Sequence, residues 1–146
     1  MSTTTPQKPA FQMPPFSAEH QATQKVATRL VEMISAGKNR DAFKELYAGD
    51  ARHVEVMDGP GCARVTTGVD NLLKNAQKMY ENTEIHGASC GKAIVNGDQF
   101  ILPMSLDCTS KEGPMAGHRM NMTETALYTV KNGKIAEGKF FYSFGC

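Results

Sequence analysis

A carboxylate stands in the middle of an apolar strand face in this chain. The run from Arg119 to Val130 has strand-like alternation, and successive side chains of a strand point to opposite faces. One face therefore carries Met120, Met122, Glu124, Ala126, Tyr128 and Val130, and the other carries Arg119, Asn121, Thr123, Thr125, Leu127 and Thr129. An ionised carboxylate is costly to bury unless it is paired or protonated. In an apolar site the pKa of Glu124 would rise toward neutrality, where a carboxyl group can both accept and give up a proton, as a general base or acid must. The competing arrangement is an ion pair with Arg119, Arg52 or a lysine across the sheet.

Other residues could share that chemistry. Glu55 lies two positions from His53, so both share a strand face, and a His-x-Glu pair can orient a proton-transfer group or contribute to a metal site. His86, on a strand that also holds Glu84, Gly87 and Gly91, is either an acid–base partner or an ordinary half-exposed histidine. Tyr128 and Tyr142 can donate a hydrogen bond to a carbonyl or enolate oxygen. The candidate catalytic set is thus Glu124, Glu55, His86 and Tyr142, with His53, Met104, Met122, Tyr128 and Phe140 as candidate pocket lining. His20 falls in a first helical turn and is expected in solvent; His118 starts a strand and is expected at a rim. No metal centre is expected, because such sites need three or four converging protein ligands and nothing in these spacings forces convergence. Gly59-Pro60-Gly61 lacks the Lys-Ser/Thr of a phosphate loop, and Ser89, Ser105 and Ser143 lack a nucleophile-elbow context.

Helices and strands must position these groups. Ser17 is a candidate cap for a helix from about Ala18 to Ala36, with Val26, Leu30, Val31 and Ile34 as its stripe and Gly37 as its stop. Asn39 is placed to cap a short second helix bearing Phe43, Leu46 and Tyr47, ended by Gly49. Asp50 to Met57 reads as a strand, followed by a Gly/Pro loop. Thr67 and Asp70 resemble a capping box before a helix with Val69, Leu72, Leu73, Ala76, Met79 and Tyr80 at helical spacing. Glu84 to Val95 and Gln99 to Thr109 are read as strands turning at Asn96-Gly97. Asn132-Gly133 then joins the Glu124 strand to Ile135–Phe144, and such a pair is the strongest short hairpin signal. Helices first and strands after argue for an α+β domain, with about three helices packed on a strongly curved antiparallel sheet. A curved sheet closed by helices leaves a cone whose mouth can hold a small molecule.

The bulk properties agree with one such domain. The chain has 146 residues, of which 40% are hydrophobic and 21% charged, with a formal net charge of +1. That length suits a single core. Residues 1–16 hold four prolines and read as a flexible tail, leaving 17–146 as the domain. The absence of a basic stripe argues against nucleic acid, and no apolar run approaches a membrane span. With no apolar stretch of a secretory signal near Met1 and no CxxC among Cys62, Cys90, Cys108 and Cys146, a cytoplasmic protein with reduced thiols is expected.

Several segments resemble the SnoaL-like branch of the nuclear-transport-factor-2-like superfamily. They are Phe43-Lys-Glu-Leu-Tyr-Ala-Gly-Asp-Ala, His53-Val-Glu-Val, Gly68-Val-Asp-Asn-Leu-Leu and the closing stretch from Glu124 to Tyr142. The resemblance implies a cone-shaped fold shared by ketosteroid isomerases, polyketide cyclases, epoxide hydrolases, dehydratases and proteins that only bind. The steroid-isomerase branch uses an Asp base with an oxyanion hole made by a Tyr and a protonated Asp. Here the apolar faces of the last three strands hold no Asp, and Tyr142-Ser143 stands where many relatives have Tyr-Asp. Glu55, His86, Glu124 and Tyr142 occupy the analogous ground. The leading expectation is cofactor-free acid–base chemistry on a small hydrophobic carbonyl compound, of isomerase, cyclase or dehydratase type. The alternatives are a non-catalytic ligand-binding or dimerisation module, and epoxide hydrolysis through a carboxylate–Arg–carboxylate relay, which would need Arg52 or Arg119. The resemblance also implies a homodimer paired through the outer sheet face.

Overall fold

The computed structural model describes residues 3–59 and 61–143. Phe144 of the last expected strand and the fourth thiol, Cys146, lie outside the described residues. Residues 3–16 are exposed and carry no regular structure.

The first helix, α1 (Ala18–Ser35), begins where the capping residue demands. Ser17 Oγ accepts from the His20 N–H at 3.1 Å, and Gly37 leaves the helix at φ +73°. Its inward face buries Thr23, Val26, Ala27, Leu30 and Met33. Next come α2 (Asn39–Leu46), β1 (Tyr47–Val54), β2 (Val65–Thr67) and α3 (Val69–Asn82). The remaining elements are β3 (Thr83–Cys90), β4 (Ile94–Asn96), β5 (Gln99–Ser110), β6 (Arg119–Lys131) and β7 (Lys134–Phe141).

The expected α+β architecture is present, with three helices packed on a curved sheet. Its strand order is β2-β1-β7-β6-β5-β3, with β4 also paired to β5. The sheet is mixed, not wholly antiparallel, because β1 runs parallel to β7. Hairpin turns force antiparallel neighbours, but β1 and β7 are separated by α3 and most of the sheet, so no turn constrains their sense. Bulges between Tyr47 and Arg52, Ile85 and Gly87, and Thr129 and Val130 bend the strands.

Four boundaries differ from expectation. β1 starts at Tyr47, so Gly49 lies inside a strand and ends no helix. The α2 cap is Lys38, and Asn39 is the first helical residue, with no capping bond. Gly68 at φ +94° precedes α3, and no side chain caps it, so Thr67 and Asp70 form no capping box. The stretch read as one strand from Glu84 to Val95 is two, β3 and β4, interrupted at residues 91–93.

The closing hairpin matches its sequence signal: Asn132 and Gly133 both take positive φ, +51° and +73°. β5 and β6 pair from Gln99–Thr129 to Thr109–Arg119 without a shift. Phe100 thus opposes Tyr128, Leu102 opposes Ala126, and Met104 opposes Glu124. The first four of these residues are at most 3% exposed and form the centre of the core with Leu30, Leu72 and Ile135.

This packing sets an expected energetic contrast. Leu102→Ala should lower the unfolding free energy by about 2–5 kcal/mol through lost burial and a residual cavity. Ile94→Ala, at a position 62% exposed, should change it by no more than about 0.5 kcal/mol. Urea denaturation of both variants checks the contrast, and equal losses would contradict the core assignment.

Candidate active site

A cavity of about 540 Å³ lies between the helices and the inner face of the sheet. Leu30 and Ile34 of α1, Ala42 of α2, Leu72 of α3, Met104 of β5 and Phe140 of β7 give it apolar walls. Its polar groups come from two sides: Tyr47 and His53 on β1, Glu55 just beyond it, and Glu124 and Tyr128 on β6, and across from the sheet Asn75, Lys78, Tyr80 and Asn82 of α3.

Glu124 and Lys78 line the same cavity, but no ion pair joins them among the described residues. None of the four ion pairs among the described residues includes it. Arg52 is held by Glu137 at 2.5 Å, and Arg119 forms a two-pronged pair with Asp107 at 2.8 and 2.9 Å. Burial among apolar walls, reinforced by the negative charge of Glu55, pushes the Glu124 carboxyl up to about 7. Glu55 is raised by burial as well, but its Oε2 accepts from the Tyr142 hydroxyl at 3.0 Å, which favours its ionised form. The two carboxyls are thus inequivalent: burial raises both, but the Tyr142 hydrogen bond opposes that rise at Glu55, while the Glu55 charge adds to it at Glu124. Burial and the Glu55 charge in turn push the Tyr142 phenol up to about 12.

Facing them is a neutral hydrogen-bonding cluster. His53 Nε2 and Tyr47 Oη are 3.3 Å apart. Burial lowers the His53 pKa to about 4, so the ring is uncharged at neutral pH. Rings pack around it, with Phe140 at 4.7 Å and Phe43 at 5.7 Å between centroids. Burial raises the phenol pKa values of both Tyr47 and Tyr128, so both remain neutral donors. Gly138 allows this packing, since a Cβ there would come within 3.1 Å of Tyr128 and 3.2 Å of His53.

The structure brings most of the sequence candidates together. Glu124, Glu55, His53, Met104, Tyr128 and Phe140 all line the cavity. Tyr142 meets it through Glu55. His86 does not reach it. Ile85 pairs with Cys108 and Gly87 with Asp107, so His86 is the extra residue of a bulge and projects to the outer face. There it is exposed, with Nε2 2.7 Å from Thr109 Oγ1. Met122 has the inward parity, opposite Leu106, but it is 36% exposed and does not line the cavity. His118 is exposed before β6. His20 is not simply solvated, because it stacks on Phe16 and its Nδ1 accepts from the Gly97 N–H at 3.3 Å.

Sequence reasoning missed Tyr47, Asn39, Asn75 and Cys62 as cavity residues. The local pattern reads Tyr47 as a helical residue and Asn39 as a cap. Asn75 donates to Thr66 Oγ1 at 3.0 Å, a contact between α3 and β2 that no local pattern announces. Burial and the nearby Glu55 charge raise the Cys62 thiol pKa, so it is not an activated nucleophile. Among the described residues no group of three or more His, Cys, Asp or Glu side chains is placed to hold a metal ion, and no helix is long and apolar enough to cross a membrane.

The profile of the SnoaL-like domain matches residues 21–142. The chain belongs to the SnoaL-like family. It is similar to a protein from Mesorhizobium loti that is provisionally assigned as a SnoaL-like polyketide cyclase. Identity there is 39%, over 82% of this chain and 97% of that one, with a TM-score of 0.75. A second provisional SnoaL-like polyketide cyclase, from a Jannaschia species, is 15% identical over 88% and 90% of the two chains, at a TM-score of 0.67. A Catenulispora acidiphila protein with a ketosteroid-isomerase-like fold, solved with trimethylamine, is 19% identical over 82% and 86%, at 0.63. The last two show the shared fold alone. No curated protein matches. Fold does not assign activity, so the chemistry of this SnoaL-like protein must be read from its own cavity.

The coupling of the two carboxyls has a definite sign. Glu55→Gln removes a negative neighbour, so the Glu124 pKa should fall from about 7 while burial keeps it above 4.5. Tyr142→Phe should act in the same direction, because an unbonded Glu55 holds its proton to higher pH and repels less. Carboxyl-carbon NMR titration measures both. A Glu124 midpoint unmoved by Glu55→Gln would refute the coupling.

Proposed function

We propose that this SnoaL-like protein is an acid–base enzyme that moves a proton at the carbon next to the carbonyl of a small, mostly apolar compound. The observation that supports this most is Glu124, a carboxyl in no ion pair among the described residues, in a mostly apolar cavity and with its pKa raised to about 7. A base of that pKa is half ionised at working pH and can take a carbon-bound proton and return it elsewhere. Isomerisation, aldol-type cyclisation and dehydration all begin with this step. The negative charge of Glu55 raises the Glu124 pKa, and the Tyr142 hydrogen bond favours that charge.

The enolate oxygen that develops needs donors that stay neutral. Tyr47 and Tyr128 supply hydroxyls in a dry site, where such hydrogen bonds are strongest, and His53 is oriented on Tyr47. The epoxide alternative loses support, since Arg52 and Arg119 are committed to Glu137 and Asp107 on the surface. Proton transfer between a carboxyl and carbon calls for no cofactor.

Two copies are proposed to pair through the outer sheet face. Ile101 and Leu127 oppose each other there, beside Phe141 opposite Thr125. Ile101 is 40% and Phe141 49% exposed, and adjoining exposed apolar side chains favour cover by a partner. Sedimentation should give a dimer that Leu127→Lys converts to monomer. A native protein that is monomeric at every concentration would overturn the pairing.

The catalytic reading has a test that needs no natural substrate. In deuterated water the protein should exchange the α-hydrogens of 4-phenylbutan-2-one, followed by NMR. The rate should rise with pH as Glu124 loses its proton, through about 7, and then level off. Glu124→Gln should reduce it about 10²–10⁴-fold. Exchange unaffected by that substitution would overturn the role of Glu124, and binding without exchange would favour a ligand carrier.

A further inference from the structure

Away from the carboxyl pair, four cations line one groove of about 630 Å³ between α2 and α3: Lys38, Arg40, Lys44 and Lys74. Asp41 is the one carboxylate among the described lining residues, so four positive charges and one negative leave a net +3 there. The whole chain carries only +1. All four cations are exposed, and none belongs to an ion pair among the described residues. Glu45 feels the charge of Lys38, but its carboxylate is held by Arg29 at 2.6 and 2.9 Å. The positive charge of the groove is therefore largely unmatched by the protein itself.

Local structure brings these charges together at a cost. Arg40 and Lys44 are four residues apart on α2, a spacing at which like charges disfavour a helix. Lys38 comes from the α1–α2 connection and Lys74 from α3, so three segments of chain contribute. Arg40 is also fixed in place. It donates through Nη1 to Gln77 Oε1 at 2.5 Å and lies over the Tyr80 ring at 5.1 Å. Gln77 in turn donates to Glu81 Oε1 at 2.9 Å. A guanidinium held this way presents its remaining N–H donors in the planar fork that matches phosphate oxygens. Tyr80 lines both this groove and the cavity, and Asn39 of the cavity wall stands between Lys38 and Arg40 of the groove. The two concavities are thus neighbours that share a wall.

We infer that the α2–α3 groove is a second binding site, for a small molecule that carries a phosphate ester or a diphosphate. A lone carboxylate would match only part of the charge, whereas one phosphate monoester brings about −1.5 to −2 at pH 7. Cations drawn from three segments around a concavity suit a compact anion of several charges better than an extended acidic peptide. Arg40 supplies directed hydrogen bonds, and the three lysines supply point charges. The site does not depend on the acid–base role of Glu124 and would stand if that role failed.

Inorganic pyrophosphate is the probe. Its binding is measured by calorimetry on the native full-length chain and on Arg40→Gln, Lys74→Gln and Lys25→Gln, with backbone amide NMR to locate it. Lys25 is an exposed lysine of α1 that does not line the groove. The native protein should bind with a dissociation constant below about 1 mM, more weakly as salt is added. Amide shifts should concentrate in residues 37–44 and 73–80. Arg40→Gln and Lys74→Gln should each weaken binding about fivefold, and Lys25→Gln by less than about twofold. Lys74 makes no hydrogen bond among the described residues, so its variant tests the site even where Arg40→Gln lowers the melting temperature. Absence of binding at about 1 mM, shifts centred elsewhere, or equal weakening by Lys25→Gln would overturn the inference. A poly-glutamate peptide that binds the groove more tightly than pyrophosphate would also overturn it, in favour of an acidic protein partner.

Discussion

The unbroken β5–β6 register is the constraint on which the site depends. Eleven consecutive pairs run from Gln99–Thr129 to Thr109–Arg119. Strand side chains alternate with period two, so a slip of one residue would turn the whole apolar face outward. It would also place Thr123 or Thr125 where Glu124 now stands. The register is secured at one end by the stacked Phe100–Tyr128 pair, with centroids 4.9 Å apart, and at the other by the Arg119–Asp107 bond across the outer face. Core packing and the location of the carboxyl are therefore one fact. Any force that holds Leu102 and Ala126 in the core also holds Glu124 in the cavity two residues on.

Charge is distributed so that this carboxyl stays uncompensated. The arginines nearest in strand context are held at the surface, where such pairs contribute little to stability. Their effect here is chiefly that they are not in the cavity. Burying a group whose ionised form is disfavoured carries a linkage cost of definite sign. Glu124 favours the folded state while protonated, and that contribution fades as pH rises from 4.5 through about 7. His53 acts oppositely: its neutral form suits the folded state, so its contribution is present above 6.5 and fades as pH falls through about 4. In the interval between, protonation of the carboxyl offsets the reluctance of the imidazole. The cavity can thus hold an acid and a base of perturbed pKa without a steep change of stability across mildly acidic pH.

How far the sequence reveals all this depends on whether the signal is local. Ser17 and Gly37 bracket α1, and Asn132-Gly133 fixes the closing hairpin, because capping and positive φ are properties of one or two residues. Strand parity reveals Glu124 for the same reason, since it requires only the alternation around it. The errors lie where tertiary structure intervenes. A single-residue bulge reverses the side to which His86 points, and nothing in Glu84-Ile-His-Gly marks the residue to be extruded. Met122 has the correct parity but is left exposed and outside the cavity, which parity alone does not reveal. The parallel β1–β7 pair joins segments far apart in the chain, so neither segment signals it. Asn39 is the most instructive case, because a residue type that favours caps becomes the first helical residue of α2 and makes no capping bond.

That diversion bears on how one fold can serve many chemistries. The cone, the helices that close it and the inward parity of β5–β7 follow from apolar pattern and turn chemistry, and they fit a 39%-identical relative and far more distant ones alike. On that frame this protein carries a handful of polar groups: Glu124 outside every ion pair among the described residues, Glu55 hydrogen-bonded by Tyr142, and a buried neutral His53 beside Tyr47. None of these is required by folding, and the first opposes it, since it leaves a carboxyl in a mostly apolar wall without a cation partner. Groups that cost stability in a core able to close without them are where a local rule is broken, and such breaks mark functional sites. The same reasoning separates Glu124 from Glu137 or Asp107, whose charges are paired at the surface and explain themselves.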